Sequence, residues 1–149
     1  MINILTVDKE LFLNKIKLVF QSEGTFKESL KNAEVAQLEI LESNGYLTYG
    51  FDCLFLEMQF SFNQTYHNGK KSGHPFLIWQ EGMCSKLQWD SSKSDLDNDI
   101  KMLVLNIENK LNIKSTPKND HEYLFLYKSL TFTVFYSIQS MNCSIEFNI

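Results

Sequence analysis

Three sets of residues in this chain carry side chains able to do chemistry, and their spacing decides what each set can do. The first is the run His67-Asn-Gly-Lys-Lys-Ser-Gly-His74. Glycine beside lysine and a hydroxyl is the composition of a phosphate-cradling loop. Such a loop needs Gly-x4-Gly-Lys-Ser/Thr, so that successive backbone N–H groups converge on the anion. Here Gln64 stands where the first glycine is required and Lys71 where the hydroxyl is required. The run therefore reads as a polar, solvated turn. Its two histidines and His121 offer imidazole ligands, but His67 and His74 are seven apart across a turn, which is not a metal-site spacing. Nothing fixes His121 beside them, and the sequence points to no metal and no cofactor.

The second set is Cys53, Cys84 and Cys143, an odd number, widely spaced, each in an apolar or strand-like setting. Without a Cys-x-x-Cys pair they suggest neither a zinc site nor a thioredoxin-like redox centre. Free buried thiols in a reducing compartment are the simplest account. No local signature such as Gly-x-Ser-x-Gly marks a nucleophile, so the expectation is a protein that is not an enzyme and has no catalytic residues.

The third set is the most informative. Asp90, Asp95, Asp97 and Asp99 gather within ten residues, with Trp89 beside them. Helix capping is satisfied by one or two carboxylates, so this group exceeds the structural need. Carboxylates next to a large aromatic suit recognition of a basic protein surface, the aromatic supplying contact area and the charge supplying specificity. These five residues are the candidate partner-binding site. Glu34, Glu39 and Glu42 form a second acidic group, read as a solvated face.

The element that must position the acidic group is Ser94–Leu111. Leu96, Ile100, Leu103, Val104, Ile107 and Leu111 recur at helical spacing and share one face. Ser92 or Ser94 can cap its start, and Lys110 and Lys114 sit near the negative end of its dipole. Pro117 opposes continuation. Towards the N-terminus, Phe12, Ile16, Val19 and Phe20 predict a helix from Asp8 to about Ser22, and Thr25-x-x-Glu28 has the form of a capping box for a second. Residues 33–42 are open between helix and strand, with Asn44-Gly45 a strong hairpin signal. Leu54, Leu56, Met58, Phe60 and Phe62 alternate and predict one half-buried strand. Met83–Asp90 reads as strand or hairpin past Gly82, and 114–120 as a loop. Glu122–Tyr127, Leu130–Ile138 and Cys143–Asn148 read as three further strands.

The expected fold is a single α+β domain spanning 1–149. A mostly antiparallel twisted sheet of five to seven strands carries the central amphipathic helix, with a helix or helices at the N-terminus. The chain has 149 residues, is 44% apolar and 13% aromatic, and is net −4. That is enough to bury one core. All fourteen basic residues are lysine, and arginine is the preferred reader of phosphate and guanine. An acidic, arginine-free chain argues against a nucleic-acid partner. No signal peptide and no apolar run of membrane-spanning length is evident, so the expected location is the cytoplasm without membrane attachment. Asn63-Gln-Thr65 and Asn142-Cys-Ser144 match the glycosylation sequon, which matters only in a secreted chain.

In general profile the chain resembles bacterial immunity proteins, which are small, acidic and cytoplasmic. The leading expectation is an immunity or antitoxin-type inhibitor that binds and neutralises a cognate protein toxin through its acidic surface. A nuclease toxin presents a basic surface to phosphates, and an inhibitor with carboxylates in matching layout associates fast. A secretion or assembly chaperone is the second expectation, and a small-molecule-binding or hydrolytic α+β domain the third. The oligomeric state is not legible.

Overall fold

The computed structural model describes residues 2–7, 10–13, 16–33, 35, 37–87 and 90–149. Its described strands are β1 (Ile2–Val7), β2 (Glu10–Leu13), β3 (Ile16–Leu18), β4 (Glu39–Ser43), β5 (Tyr46–Phe55), β6 (Met58–His67), β7 (Lys70–Trp79), β8 (Thr116–Asn119), β9 (Glu122–Tyr127), β10 (Leu130–Ser137) and β11 (Asn142–Phe147). The helices are α1 (Glu23–Asn32), α2 (Met83–Leu87) and α3 (Lys93–Leu111). All eleven strands join one sheet in the order β3-β2-β1-β5-β6-β7-β11-β10-β9-β8, with β4 hydrogen-bonded to β5 off that path. Only β1 and β5 pair in parallel among the described strands. The fold is the expected single-domain α+β architecture with a mostly antiparallel sheet.

The inward faces of the strands are strongly aromatic. Phe51, Phe55, Phe60, Phe62, Phe132 and Phe147 are all essentially buried. Phe55 of β5 meets Phe132 of β10 at 6.3 Å between ring centroids, though three strands separate β5 from β10 in the sheet. The sheet must therefore curl around its own core. α3 lies over β10 and β11 and buries Leu96, Ile100, Leu103, Val104 and Ile107, each contributing about 1.5–3 kcal/mol. α1 closes the other end, where Phe26 packs on Tyr49, Phe62 and Tyr66.

Several boundaries differ from the sequence expectation, each for a physical reason. The segment expected as a helix up to Ser22 forms β2 and β3 instead, an antiparallel hairpin continuing from β1; Asp8 lies outside the described residues. Pairing with the free edge of β1 supplies backbone partners that outweigh the helical spacing of Phe12, Ile16, Val19 and Phe20. One N-terminal helix remains, and Ser22 rather than Thr25 caps it, its Oγ accepting the Thr25 N–H at 3.3 Å. Beyond it, β4 turns through Asn44-Gly45 into β5, both residues at positive φ, as a two-residue hairpin requires.

The run Leu54–Phe62 is two strands and not one. Leu56 and Glu57, both at positive φ, turn the chain between Phe55 and Met58. A two-residue turn keeps the alternation legible on both sides while hiding the reversal. Met83–Leu87 is helical, for a reason given below, and Thr116–Asn119 forms an edge strand that tolerates Pro117.

Candidate functional site

The start of α3 is built around Ser92. Its Oγ accepts the Asp95 N–H at 3.3 Å, and Asp95 Oδ2 reciprocally accepts the Ser92 N–H at 2.8 Å. This capping box consumes Asp95: one of its oxygens is committed to the backbone and to the Ser92 hydroxyl, 3.1 Å away. One turn on, Asp97 pairs with Lys93 at 3.3 Å. Tyr136, from the end of β10, directs its phenol at the same two groups. Burial pushes that phenol up, hydrogen bonding to Asp97 adds to the shift, and Lys93 opposes it. Asp97 and then Tyr136 hold the Lys93 ammonium above its usual range.

The turn between β8 and β9 brings a second pair to this place. Asp120 Oδ1 lies 2.9 Å from His121 Nδ1. The imidazole leans on the Tyr136 ring at 5.4 Å, and the His121 carbonyl accepts the Tyr136 N–H at 3.2 Å. His121 is the main cause, and Lys93 a smaller one, of a lowered Asp120 pKa. Between the two elements lies a shallow depression of about 380 Å³, lined by Lys93, Asp120, His121, Tyr136 and Ile138 among others. Ile138 is 59% exposed. The arrangement is an acidic rim, with Asp120 on the lining and Asp97 joined to it through Lys93, which partly neutralises it, beside the aromatic and aliphatic side chains of Tyr136 and Ile138. Chemically it suits a basic group set in an apolar frame.

The five expected site residues divide unequally. Asp90 is exposed at the approach to α3. Asp97 adjoins the rim through its pair with Lys93, and Asp95 is held by the cap. Trp89 lies outside the described residues. Asp99 does not belong to any surface: it is only 2% exposed. Its Oδ1 accepts the Met83 N–H at 2.8 Å and its Oδ2 the Cys84 N–H at 2.9 Å. Those bonds satisfy free amides of α2's first turn and explain why that segment is helical and not a strand. Gly82 makes the approach possible, since a Cβ there would fall 2.5 Å from Asp99 Oδ2.

Lys93, Asp120, Tyr136 and Ile138 were not candidates in the sequence, and His121 was weighed only as a metal ligand. Tyr136 carries only the signal of a strand's inward stripe, and Asp120-His121 only that of a polar turn. Their convergence depends on the β8–β9 turn reaching the start of α3, which no local spacing records. The other histidines go elsewhere. His67 stacks on Tyr46 at 4.3 Å, and His74 Nδ1 lies 3.1 Å from the Ile149 carbonyl. The three cysteines are free and buried. Among the described residues no helix is long and apolar enough to cross a membrane. Compared with protein-family models, curated proteins and solved structures, the chain finds no match.

Proposed function

We propose that this chain is a protein-binding inhibitor of the bacterial immunity or antitoxin type, which neutralises a cognate toxin in the cytoplasm by covering it with the acidic surface at the start of α3. One observation carries the reading. Lys93, paired with Asp97 at 3.3 Å, and Asp120 come from elements distant in sequence, yet both line the same depression. Asp90 adds charge at the approach to that rim. Tyr136 and Ile138 offer the apolar contact that an anchoring side chain needs, while the carboxylates steer a basic partner and fix its orientation. A nuclease, whose active surface must attract phosphates, is the partner class with the matching charge.

The test is affinity capture from native cells with the tagged chain and with its Asp90→Asn/Asp97→Asn/Asp120→Asn variant, at low and high salt. Asp99 is left intact because it is internal. The expected result is a basic polypeptide held by the parent at low salt, at least about tenfold depleted with the variant and at high salt. Once purified, that polypeptide should be toxic and should be silenced by the parent chain. Equal retention by parent and variant would remove this surface from consideration.

A further inference from the structure

Off the main strand path and away from β8 and β9, β4 hangs on β5 by one edge, and no described strand takes its other edge. All five of its residues are exposed. A hairpin strand normally turns one apolar face inward, yet here both faces carry uncovered aliphatic side chains. Ile40 is 49% exposed on the core side and Leu41 is 66% exposed on the other. Leu38 and Tyr46, at 37% and 42%, extend the patch. An open edge with exposed aliphatics is a template for strand pairing.

The charges around β4 say what kind of strand fits. β4 itself carries Glu39 and Glu42. Beside it, a groove of about 360 Å³ between α1 and the sheet is lined by Ile40, Leu38 and Leu30 and by the lysines Lys27 and Lys31. The patch thus holds both halves of an electrostatic match, carboxylates on the strand and ammonium groups next to it. Self-complementarity of this sort is what a twofold interface demands.

We propose that β4 pairs antiparallel with β4 of a second copy of this chain, in the register that sets Leu41 opposite Leu41 across the twofold axis. The register follows from the side chains. An axis at Leu41 buries the most exposed aliphatic of the strand against its own copy and sets Glu39 opposite Ser43. It also sets Glu42 opposite Ile40, which lines the groove with Lys27 and Lys31. Residues directly opposite share a face, so the Glu42 carboxylate arrives on the side that holds those lysines. Shifting the axis to Glu42 would oppose Glu42 with itself, and shifting it to Ile40 would set Glu39 against Leu41. The pairing continues the sheet from one copy into the next and removes its open edge. It is independent of the acidic rim, which lies by β8 and β9.

Light scattering and sedimentation of the whole chain across micromolar to millimolar concentration test the pairing. The expected species has twice the 17.4 kDa chain mass. Leu41→Lys should raise the dissociation constant at least about thirtyfold while leaving the far-ultraviolet circular dichroism unchanged. Lys31→Glu should weaken the dimer less, and added salt should weaken the parent more than Lys31→Glu. Register is read with Leu41→Cys, whose directly opposed Cβ atoms would stand about 4.5–5.5 Å apart. Mild oxidation should link that variant to itself, while Leu126→Cys, at a position equally exposed at 67%, should not be linked. A chain that stays monomeric throughout overturns the proposal. So does a dimer that survives Leu41→Lys, or one that links through residue 126 in preference to 41.

Discussion

Asp99 shows how a residue's chemistry is decided by the face it stands on. In the sequence it completes a run of carboxylates. In the fold it stands one turn from Leu96 and one turn from Leu103 on the inward face of α3, next to Ile100, and it is buried with them. That placement was legible: three residues after Leu96 and four before Leu103 is the apolar stripe, not the polar one. What could not be read was its partner, because the amides of Met83 and Cys84 become available only when α2 forms. A buried carboxylate accepting two backbone N–H groups is hard to replace. Asp99→Asn retains one acceptor but turns an NH2 towards an amide donor, and the expected loss is about 2 kcal/mol. Gly82→Ala should cost a similar amount by pushing the carboxylate off its amides, about 1–3 kcal/mol. Urea denaturation of the two single variants and their combination checks the account. Strongly sub-additive losses are expected, because each variant breaks the same pair of bonds; simple additivity would mean that Gly82 and Asp99 act separately.

At the level of elements, the sequence was most readable where one signal had no competitor. α3 carries an apolar stripe, a cap and an acidic first turn, and it spans Lys93–Leu111 against an expected Ser94–Leu111. β9, β10 and β11 likewise fall within a residue or so of their alternating runs. The errors lie where two periods fit the same residues. Phe12, Ile16, Val19 and Phe20 satisfy a helical spacing, yet β1 offers a hydrogen-bonding edge that a window over residues 8–22 does not see. The turn at Leu56-Glu57 lacks the glycine or asparagine that marks such turns, so the chain reversal was invisible. The candidate site inherits this pattern: its α3 half was legible, and its β8–β9 half was not, because 114–120 gave only loop composition. The prediction at this scale concerns the cap that sets α3. Ser92→Ala removes the acceptor for the Asp95 N–H and frees Asp95 from its reciprocal bond, at a cost of about 1 kcal/mol. Ser92→Asp should restore most of it, since aspartate caps equally well. If Ser92→Ala leaves the urea midpoint unchanged, the box does not stabilise α3.

Across the whole molecule, the count of eleven strands against an expected five to seven follows from those hidden reversals, and the curl of the sheet follows from how many aromatic rings it must enclose. That enclosure has a measurable consequence at alkaline pH. Burial pushes the Cys53 thiol from its ordinary 9.0 up to about 12, with a smaller contribution from Asp52. The Cys84 thiol rises to about 11 by burial and then by Asp99. Burial likewise drives Cys143 and the Tyr66 phenol up, and Tyr66 donates its hydroxyl hydrogen to the Phe20 carbonyl at 3.0 Å. In the unfolded chain these groups ionise near their ordinary values. With rising pH the unfolded state therefore releases protons first, while the folded state retains them. Stability from these groups is fully present below about pH 9 and is lost as pH climbs from there towards the folded values. The slope is about 1.4 kcal/mol per pH unit for each group ionised only when unfolded. Urea midpoints should accordingly be flat between neutrality and pH 9 and fall steeply above it. Cys53→Ala lowers stability at neutral pH by opening a small cavity, but it removes one of the titrating groups, so its decline above pH 9 should be shallower by one group's slope. The two curves should converge as the pH rises. Parallel curves would mean that Cys53 ionises alike in both states and that the core does not hold it away from water.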